Sequence, residues 1–151
     1  MSSWTLPQPM KRALALAEAS AAAGEVPVGA VITRDGQVIA EAHNTPRETC
    51  DPTAHAEIRA LREACQKQQN YRLPGSILYV TLEPCLMCAG ALLHARVAEV
   101  VFGAREPVGG AAGSIMNVLE SGWLNHRAKV TAGIGAEESS EMLQEFFERL
   151  R

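Results

Sequence analysis

Long hydrophobic runs are missing from this sequence of 151 residues. The longest apolar stretches, such as residues 29–32 and 77–80, are far shorter than the roughly 20 residues that a membrane-spanning helix needs. Residues 1–9 also lack the basic patch and long apolar segment that are typical of a signal peptide. These absences predict a protein without a membrane partner that stays in the cytoplasm.

Linkers, repeats and low-complexity tracts are absent as well. With 47% hydrophobic residues, the chain is the size of one domain and can bury a full core. We therefore expect a single domain that spans residues 1–151. No G-x-G-x-x-G or Walker loop opens a helix, which indicates that no nucleotide cofactor is bound.

Cysteine is scarce, and a chain with a full core does not need disulfide staples. Of the four cysteines, Cys85 and Cys88 form a C-x-x-C pair, which in the cytosol indicates metal or redox chemistry. On this pair alone, a metal site and a thioredoxin-like redox site fit equally well. Cys50 and Cys65 lie 15 positions apart and form no knuckle, so we expect them to be ordinary, partly buried residues.

The net charge of −3 argues weakly against a nucleic-acid partner. The charge is uneven, however, because five of the 17 acidic residues crowd the C-terminal stretch 137–148. Eleven of the 14 basic residues are arginine, whose planar group suits bidentate phosphate contacts. Whole-chain charge therefore does not decide the partner.

Hydrophobic periodicity and turn residues predict an alternation of helices and strands. Asp51 has the features of an N-cap with Pro52 at the first helical position. The turn residues Asp35 and Gly36 predict an antiparallel hairpin, and the β-α-β units after it favour parallel pairing. We therefore expect an α/β fold with a mixed five-stranded sheet inside a three-layer α/β/α sandwich. The predicted elements are helices at 10–23, 51–68, 85–95 and 137–151, and strands at 26–33, 37–42, 76–82, 99–102 and 128–132.

Two short segments carry the chemistry: His55-Ala-Glu57 and Pro84-Cys85-x-x-Cys88. One imidazole and two thiolates suit Zn²⁺, and three protein ligands leave the fourth position of the tetrahedron open for water. Glu57 is better used as a base against that water than as a ligand. His55 and Glu57 are two positions apart, so inside a helix they would point roughly 200° from each other. They converge only if the metal lies over the end of the helix.

Each of these residues also has a simpler interpretation. A lone His55 fits a hydrogen-bonded structural histidine, and a lone Glu57 fits a solvated helix residue. The combination of H-x-E with P-C-x-x-C in separate strand–helix units changes this, because it is the signature of the zinc nucleobase deaminases.

Beyond these motifs, the chain resembles the bacterial tRNA-specific adenosine deaminases along nearly its whole length. This resemblance implies a cytidine deaminase-like fold and a homodimer that binds a tRNA anticodon stem-loop across the subunit junction. The segments that carry it are V-P-V-G-A-V at 26–31, D-P-T-A-H-A-E-I at 51–58, L-Y-V-T-L-E-P-C-L-M-C-A-G-A at 78–91, V-F-G-A-R at 101–105 and G-A-A-G-S at 110–114.

The resemblance also implies substrate contacts for particular residues. Asn44 would hydrogen-bond to the flipped base, Val28 and Leu82 would wall the pocket, and the Ala56 backbone would touch the substrate. Glu106 stands where the family commonly has aspartate, in a loop that would contact the nucleotide backbone.

A further implication concerns the C-terminal helix, which contributes RNA contacts in the family, and here Phe146, Phe147 and Arg149 match its pattern. Helical spacing, in contrast, predicts that Met142, Phe146 and Leu150 are mostly core.

The implied activity is hydrolytic deamination of adenosine to inosine at the anticodon wobble position, with one Zn²⁺ per chain. Two other hypotheses stay open: a deaminase of a free nucleobase or nucleoside (guanine, cytosine or adenosine), and a non-catalytic zinc or thiol module. Glu57 and the open ligand position argue against the third hypothesis, while Asn44 and residues 110–114 favour the first over the second.

Overall fold

The computed structural model describes residues 5–151 and contains a mixed five-stranded sheet between two helical layers, which confirms the predicted fold class. Residues 1–4, part of the segment 1–9 discussed above, lie outside the described residues. Element bounds are α1 Gln8–Ala22, β1 Gly29–Arg34, β2 Gln37–His43, α2 Pro46–Thr49, α3 Ala56–Gln68, β3 Ile77–Leu82, α4 Leu86–His94, β4 Glu99–Ala104, β5 Lys129–Thr131 and α5 Ala136–Arg149, with a 3-10 turn at Trp123–Asn125.

The strand order in the sheet is β2-β1-β3-β4-β5. β1 pairs antiparallel with β2, through a turn at Asp35 and Gly36, and antiparallel with β3. β3, β4 and β5 are parallel. The connection from β3 to β4 is the crossover helix α4, whereas a long loop with a 3-10 turn connects β4 to β5. The central strands β1 and β4 are buried along almost their entire length, because helices cover both faces.

Alternate residues of the central strands serve two separate cores. Val31 of β1 and Val101 of β4 pack with α1 and α5 on one face. Ile32 and Phe102, their neighbours in sequence, belong to the larger core on the α3 and α4 face. α1 lies so close to β1 that a Cβ at Gly29 would overlap the backbone of α1.

The predicted start of one helix is wrong, and one short helix was not predicted. The helix predicted from Asp51 begins at Ala56. The Asp51 carboxylate does accept hydrogen bonds from the Thr53 backbone N–H and hydroxyl at 2.8 and 2.7 Å, as an N-cap would. The chain forms only one turn there, with the Ala54 N–H donating to the Asp51 carbonyl at 3.1 Å, and the extended backbone of His55 separates this turn from the helix. The short helix α2, which precedes it, was not predicted.

The burial predicted for three residues of the C-terminal helix and for two cysteines is confirmed in part. Phe146 is buried and Met142 packs against the core on the α1 side, but Leu150 is 64% exposed, because it is the C-cap residue after the last turn of α5. Cys65 is partly buried as predicted, whereas Cys50 is exposed at the end of α2, and all four cysteines are free.

Among residues 5–151, no helix combines the length and hydrophobicity that a membrane span requires.

Candidate metal centre and active site

Four strand ends meet at one end of the sheet, and the candidate site lies there. Because Gly29 pairs with His43 and Leu82 pairs with Ala104, the start of β1 and the ends of β2, β3 and β4 are neighbours. β1 runs antiparallel to β3, which brings the N-terminus of β1 to the C-terminal end of β3. The C-terminal ends of parallel strands are the usual location of sites in α/β folds.

His55 is the N-cap of α3, with an extended backbone (φ −70°, ψ 153°). The residue therefore stands outside the helix, while Glu57 lies in its first turn. This arrangement explains how the two side chains can face the same point, because the 200° separation applies only when both residues are helical. Because the helix begins at Ala56 and not at Asp51, His55 lies outside it and can face the same point as Glu57.

Cys85 is the N-cap of α4, and Cys88 lies in the first turn of that helix. Backbone pairing between Cys85 and Gly110 holds this segment against the loop that follows β4. The N-terminus of a helix carries partial positive charge, which favours thiolates at this position.

The three side chains converge on one point. His55 Nδ1 lies 3.7 Å from Cys85 Sγ and 3.5 Å from Cys88 Sγ, and the three donor atoms lie within 4.8 Å of one another. A zinc ion at normal bond lengths would hold an imidazole nitrogen and a thiolate sulfur roughly 3.6 Å apart along a tetrahedral edge. The nitrogen and sulfur donors and their spacing thus fit a metal ion with one open coordination position.

The protein environment shifts the pKa values of the two thiols in opposite directions. The hydrogen bond from Cys88 lowers the pKa of Cys85 to about 4, and the same pairing raises the pKa of Cys88. The two sulfurs therefore share one proton. A cation between them would favour thiolate at both positions, because metal ligation deprotonates a thiol.

Glu57 is only 4% exposed and lies in the first turn of α3, two residues after the N-cap His55. Burial raises its pKa to about 7, despite the opposing effect of its own backbone N–H. A buried carboxyl group in this range can both accept and return a proton at neutral pH. The solvated-helix interpretation of Glu57 does not fit this burial.

The residues predicted to contact the substrate surround the same end of the sheet. Asn44 follows β2, and its amide donates to the Val26 carbonyl at 3.2 Å, which fixes the orientation of the side chain. Val28 directly precedes β1, Leu82 ends β3, and the buried Ala56 is the first residue of α3.

Glu106 follows β4 at the same end of the sheet. Its carboxylate accepts a hydrogen bond from the backbone N–H of Val108 at 2.9 Å, so the side chain caps its own turn.

Sequence reasoning missed two buried glutamates near the site. Glu25 accepts hydrogen bonds from the backbone N–H groups of Arg47 and Glu48 at 3.2 and 2.8 Å, and so anchors the loop between Asn44 and His55. Glu83 holds the loop after β4 in a similar way. Glu25 precedes Val26-Pro27 and Glu83 precedes Pro84, and each lies next to a buried strand. An acidic residue in such apolar surroundings is the sequence signal that indicated its burial.

The fold and the site together define a class. A three-layer α/β/α domain with one histidine and two cysteines at two helix N-termini, positioned to hold a metal ion, and with a buried glutamate in the same helix turn, is typical of the nucleobase deaminases.

Comparison with known proteins is consistent with this class and identifies the family. A family model described as MafB19-like deaminase matches residues 7–151. A tRNA-specific adenosine deaminase of Haemophilus influenzae is 50% identical over 94% of this chain and 83% of its own. Its counterpart from Bacillus subtilis is 47% identical over 94% of this chain and 88% of its own. The chain belongs to the MafB19-like deaminase family and, within it, to the tRNA-specific adenosine deaminases.

Solved structures agree with this assignment. A structure from a study of A-to-I editing by tRNA:A34 deaminases at the wobble position has a TM-score of 0.86 and 44% identity, and the match covers 89% of this chain and 98% of that chain. A guanine deaminase from Bacillus subtilis is also 44% identical, but it matches only 70% of this chain and 66% of its own, with a TM-score of 0.63.

Proposed function

We propose that the protein converts adenosine to inosine by hydrolysis at the wobble position of a tRNA anticodon. The observation that carries this proposal is the convergence of His55, Cys85 and Cys88 beside the buried carboxyl group of Glu57. The substrate is supported by the relatives, which are named for adenosine in tRNA and match this chain over almost its full length.

In this proposal His55, Cys85 and Cys88 hold one zinc ion. A bound Zn²⁺ with three protein ligands supplies an activated water molecule at neutral pH. The softness of two thiolates favours zinc over the oxygen-seeking Mg²⁺ and Ca²⁺.

Glu57 performs the proton transfers. Its carboxylate accepts a proton from the attacking water and delivers it to N1 of adenine, which makes C6 electrophilic. It then removes the proton of the new C6 hydroxyl group and passes it to the C6 amino group, which leaves as ammonia. C6 becomes a carbonyl carbon, N1 keeps its proton, adenine becomes hypoxanthine and the carboxylate is regenerated. Burial of Glu57 supports this role, because a desolvated carboxyl group exchanges protons near neutral pH.

Positioning of the base falls to residues around the end of the sheet. Asn44, fixed by its bond to the Val26 carbonyl, would hydrogen-bond to the flipped base. Val28 and Leu82 would wall the pocket, and the Ala56 backbone would touch the substrate. Glu106 would lie beside the nucleotide chain, and Phe147 and Arg149 of α5 are exposed and accessible to RNA.

The target base must leave its stack to reach these residues, and an unpaired anticodon loop makes that step inexpensive. Contacts to the rest of the loop would then supply the energy that orders the flipped base. Because phosphate contacts release counterions, RNA affinity should fall as the salt concentration rises.

A homodimer is the second part of the proposal. Large apolar side chains are exposed near the start of α4, among them Leu86, Met116 and Trp123. They line a cavity of about 290 Å³ close to the metal ligands, and a second cavity of about 520 Å³ opens between α3 and α4. Such a surface suits burial against a second copy, which would place the anticodon loop at the subunit junction. A tRNA substrate is in turn consistent with a cytoplasmic protein.

A parallel assay tests the proposed function. Zinc-loaded protein is incubated with an anticodon stem-loop that carries adenosine at the wobble position, and separately with adenosine, cytidine and guanine. Inosine should form on the stem-loop and be negligible from free adenosine. Equal turnover of a free base or nucleoside would overturn the tRNA assignment and favour the small-molecule deaminase that the guanine deaminase match represents.

A further inference from the structure

The carboxylate of Glu83 lies at the end of β3 and is almost completely buried, with 2% of the residue exposed. It contacts neither the metal ligands nor Glu57 through any hydrogen bond found among the described residues. All four of its hydrogen bonds come instead from the loop that follows β4.

The four donors are distributed evenly over the two oxygens. Oε1 accepts from the Glu106 backbone N–H at 3.0 Å and from the Ser114 hydroxyl. Oε2 accepts from the backbone N–H groups of Ala112 and Ser114, each at 3.0 Å. A carboxylate offers about four acceptor positions, so this one is saturated.

The backbone around Glu83 reinforces the attachment. Ala111 donates to the Pro84 carbonyl at 2.8 Å, and Gly110 pairs with Cys85. A Cβ at Gly110 would overlap the Glu83 carboxylate, so only glycine allows the loop to approach this closely. The loop 106–114 is therefore fastened to the segment that also carries a metal ligand.

We propose that Glu83 is a positioning residue for substrate binding. By fixing the backbone of residues 106–114, it holds Glu106 and its turn in the conformation that contacts the nucleotide chain. This inference rests on the proposed function. With every acceptor position occupied by the loop, Glu83 takes no part in proton transfer, which separates its role from that of Glu57.

Glutamine tests this role with little change in size. In Glu83→Gln one oxygen becomes an N–H donor that faces the N–H donors of the loop, so part of the attachment is lost. Ser114→Ala removes a single donor and serves as the milder variant if Glu83→Gln does not fold. Ser76→Ala is the matched control, because this buried hydroxyl donates to the Leu73 carbonyl just before β3, at the opposite end of the sheet from Glu83.

The experiment uses zinc-loaded protein and measures four quantities: amide hydrogen exchange of residues 105–114, Kd for the wobble-adenosine stem-loop, single-turnover rate at saturating RNA, and zinc content. In Glu83→Gln the loop should exchange faster and Kd should rise by about tenfold or more, because binding must now order the loop. The saturated rate should stay within a few-fold of wild type, as expected for a loss of binding alone. Zinc content should not change.

Ser114→Ala should shift loop exchange and Kd in the same direction by a smaller factor, and Ser76→Ala should leave both unchanged. Unchanged loop exchange or unchanged Kd in Glu83→Gln would overturn the proposal. Loss of zinc, or a fall in the saturated rate at unchanged Kd, would also overturn it, since either places Glu83 in the metal site or the chemistry. Wild-type protein that neither binds nor edits the stem-loop would instead overturn the proposed function, and the exchange measurement would still show whether Glu83 holds the loop.

Discussion

His55 and Cys88 are 33 positions apart in the chain, yet the Nδ1 of one lies 3.5 Å from the Sγ of the other. The contact forms because α3 and α4 both begin at the same end of the sheet, each with a donor residue as its N-cap. Two strand–helix units thus meet through their helix N-termini, where partial positive charge favours anionic ligands.

Removal of either thiolate should abolish zinc binding. Cys85→Ala and Cys88→Ala each leave only two of the three protein ligands that a catalytic zinc ion needs, so activity should be lost together with the metal. Zinc per chain, measured by elemental mass spectrometry after dialysis, checks this expectation. Cys65→Ala, a partly buried thiol outside the site, is the control and should retain one zinc per chain. A double variant of Cys85 and Cys88 that still holds stoichiometric zinc would disprove the ligand assignment.

A charge placed on the apolar surface near α4 should separate the proposed dimer. Met116 is 42% exposed and lines the cavity beside Leu86 and Trp123, so Met116→Glu would bury an unpaired carboxylate in the interface. Sedimentation velocity should show a shift from dimer to monomer. Val38 is 53% exposed beside the hairpin turn, at the opposite end of β2 from the site, and Val38→Glu should remain dimeric. A monomeric wild-type protein would contradict the dimer itself.

Two glycine-to-alanine changes should alter stability in opposite directions. Gly90 lies inside α4, and a Cβ there would meet only a Trp123 ring carbon at 3.8 Å, an ordinary contact. Gly90→Ala should therefore raise the free energy of unfolding by up to about 1 kcal/mol.

At Gly29, in contrast, a Cβ would overlap the Ala13 backbone oxygen, so α1 must move away from β1. Gly29→Ala should lower the free energy of unfolding by about 1–3 kcal/mol, as overpacking does. Urea unfolding at one protein concentration measures both variants. Equal stability of the two would show that the α1–β1 contact is looser than the structure has it.

Most of the fold could be predicted because its signals are local. The β-branched stretches at β1, β3 and β4 and the Asp35-Gly36 turn indicate strands and a hairpin without knowledge of the tertiary structure. The start of α3 could not be predicted in the same way. Asp51 and Pro52 carry a helix-start signal, but they form a separate turn that ends at Ala54, and the helix begins only at Ala56, after the extended His55.

The site shows the same division between local and distant signals. His55, Glu57, Cys85 and Cys88 could be found because their spacing within two short segments reflects the chemistry directly. An acidic residue beside a buried strand marks Glu83 for burial, but its partners are 23 to 31 positions away and only the folded loop brings them together, so its role could not be predicted. Residues that act through backbone hydrogen bonds leave little trace in the sequence.

Glu57 provides the most direct test of the proposed chemistry. Glu57→Gln keeps the size of the side chain but cannot accept a proton from water. Single-turnover inosine formation on the anticodon stem-loop should fall by at least about 10²–10⁴-fold, while zinc content and RNA affinity stay at wild-type values. Glu63→Gln, on the exposed side of the same helix, is the matched control and should edit normally. Wild-type turnover in zinc-loaded Glu57→Gln would contradict the account.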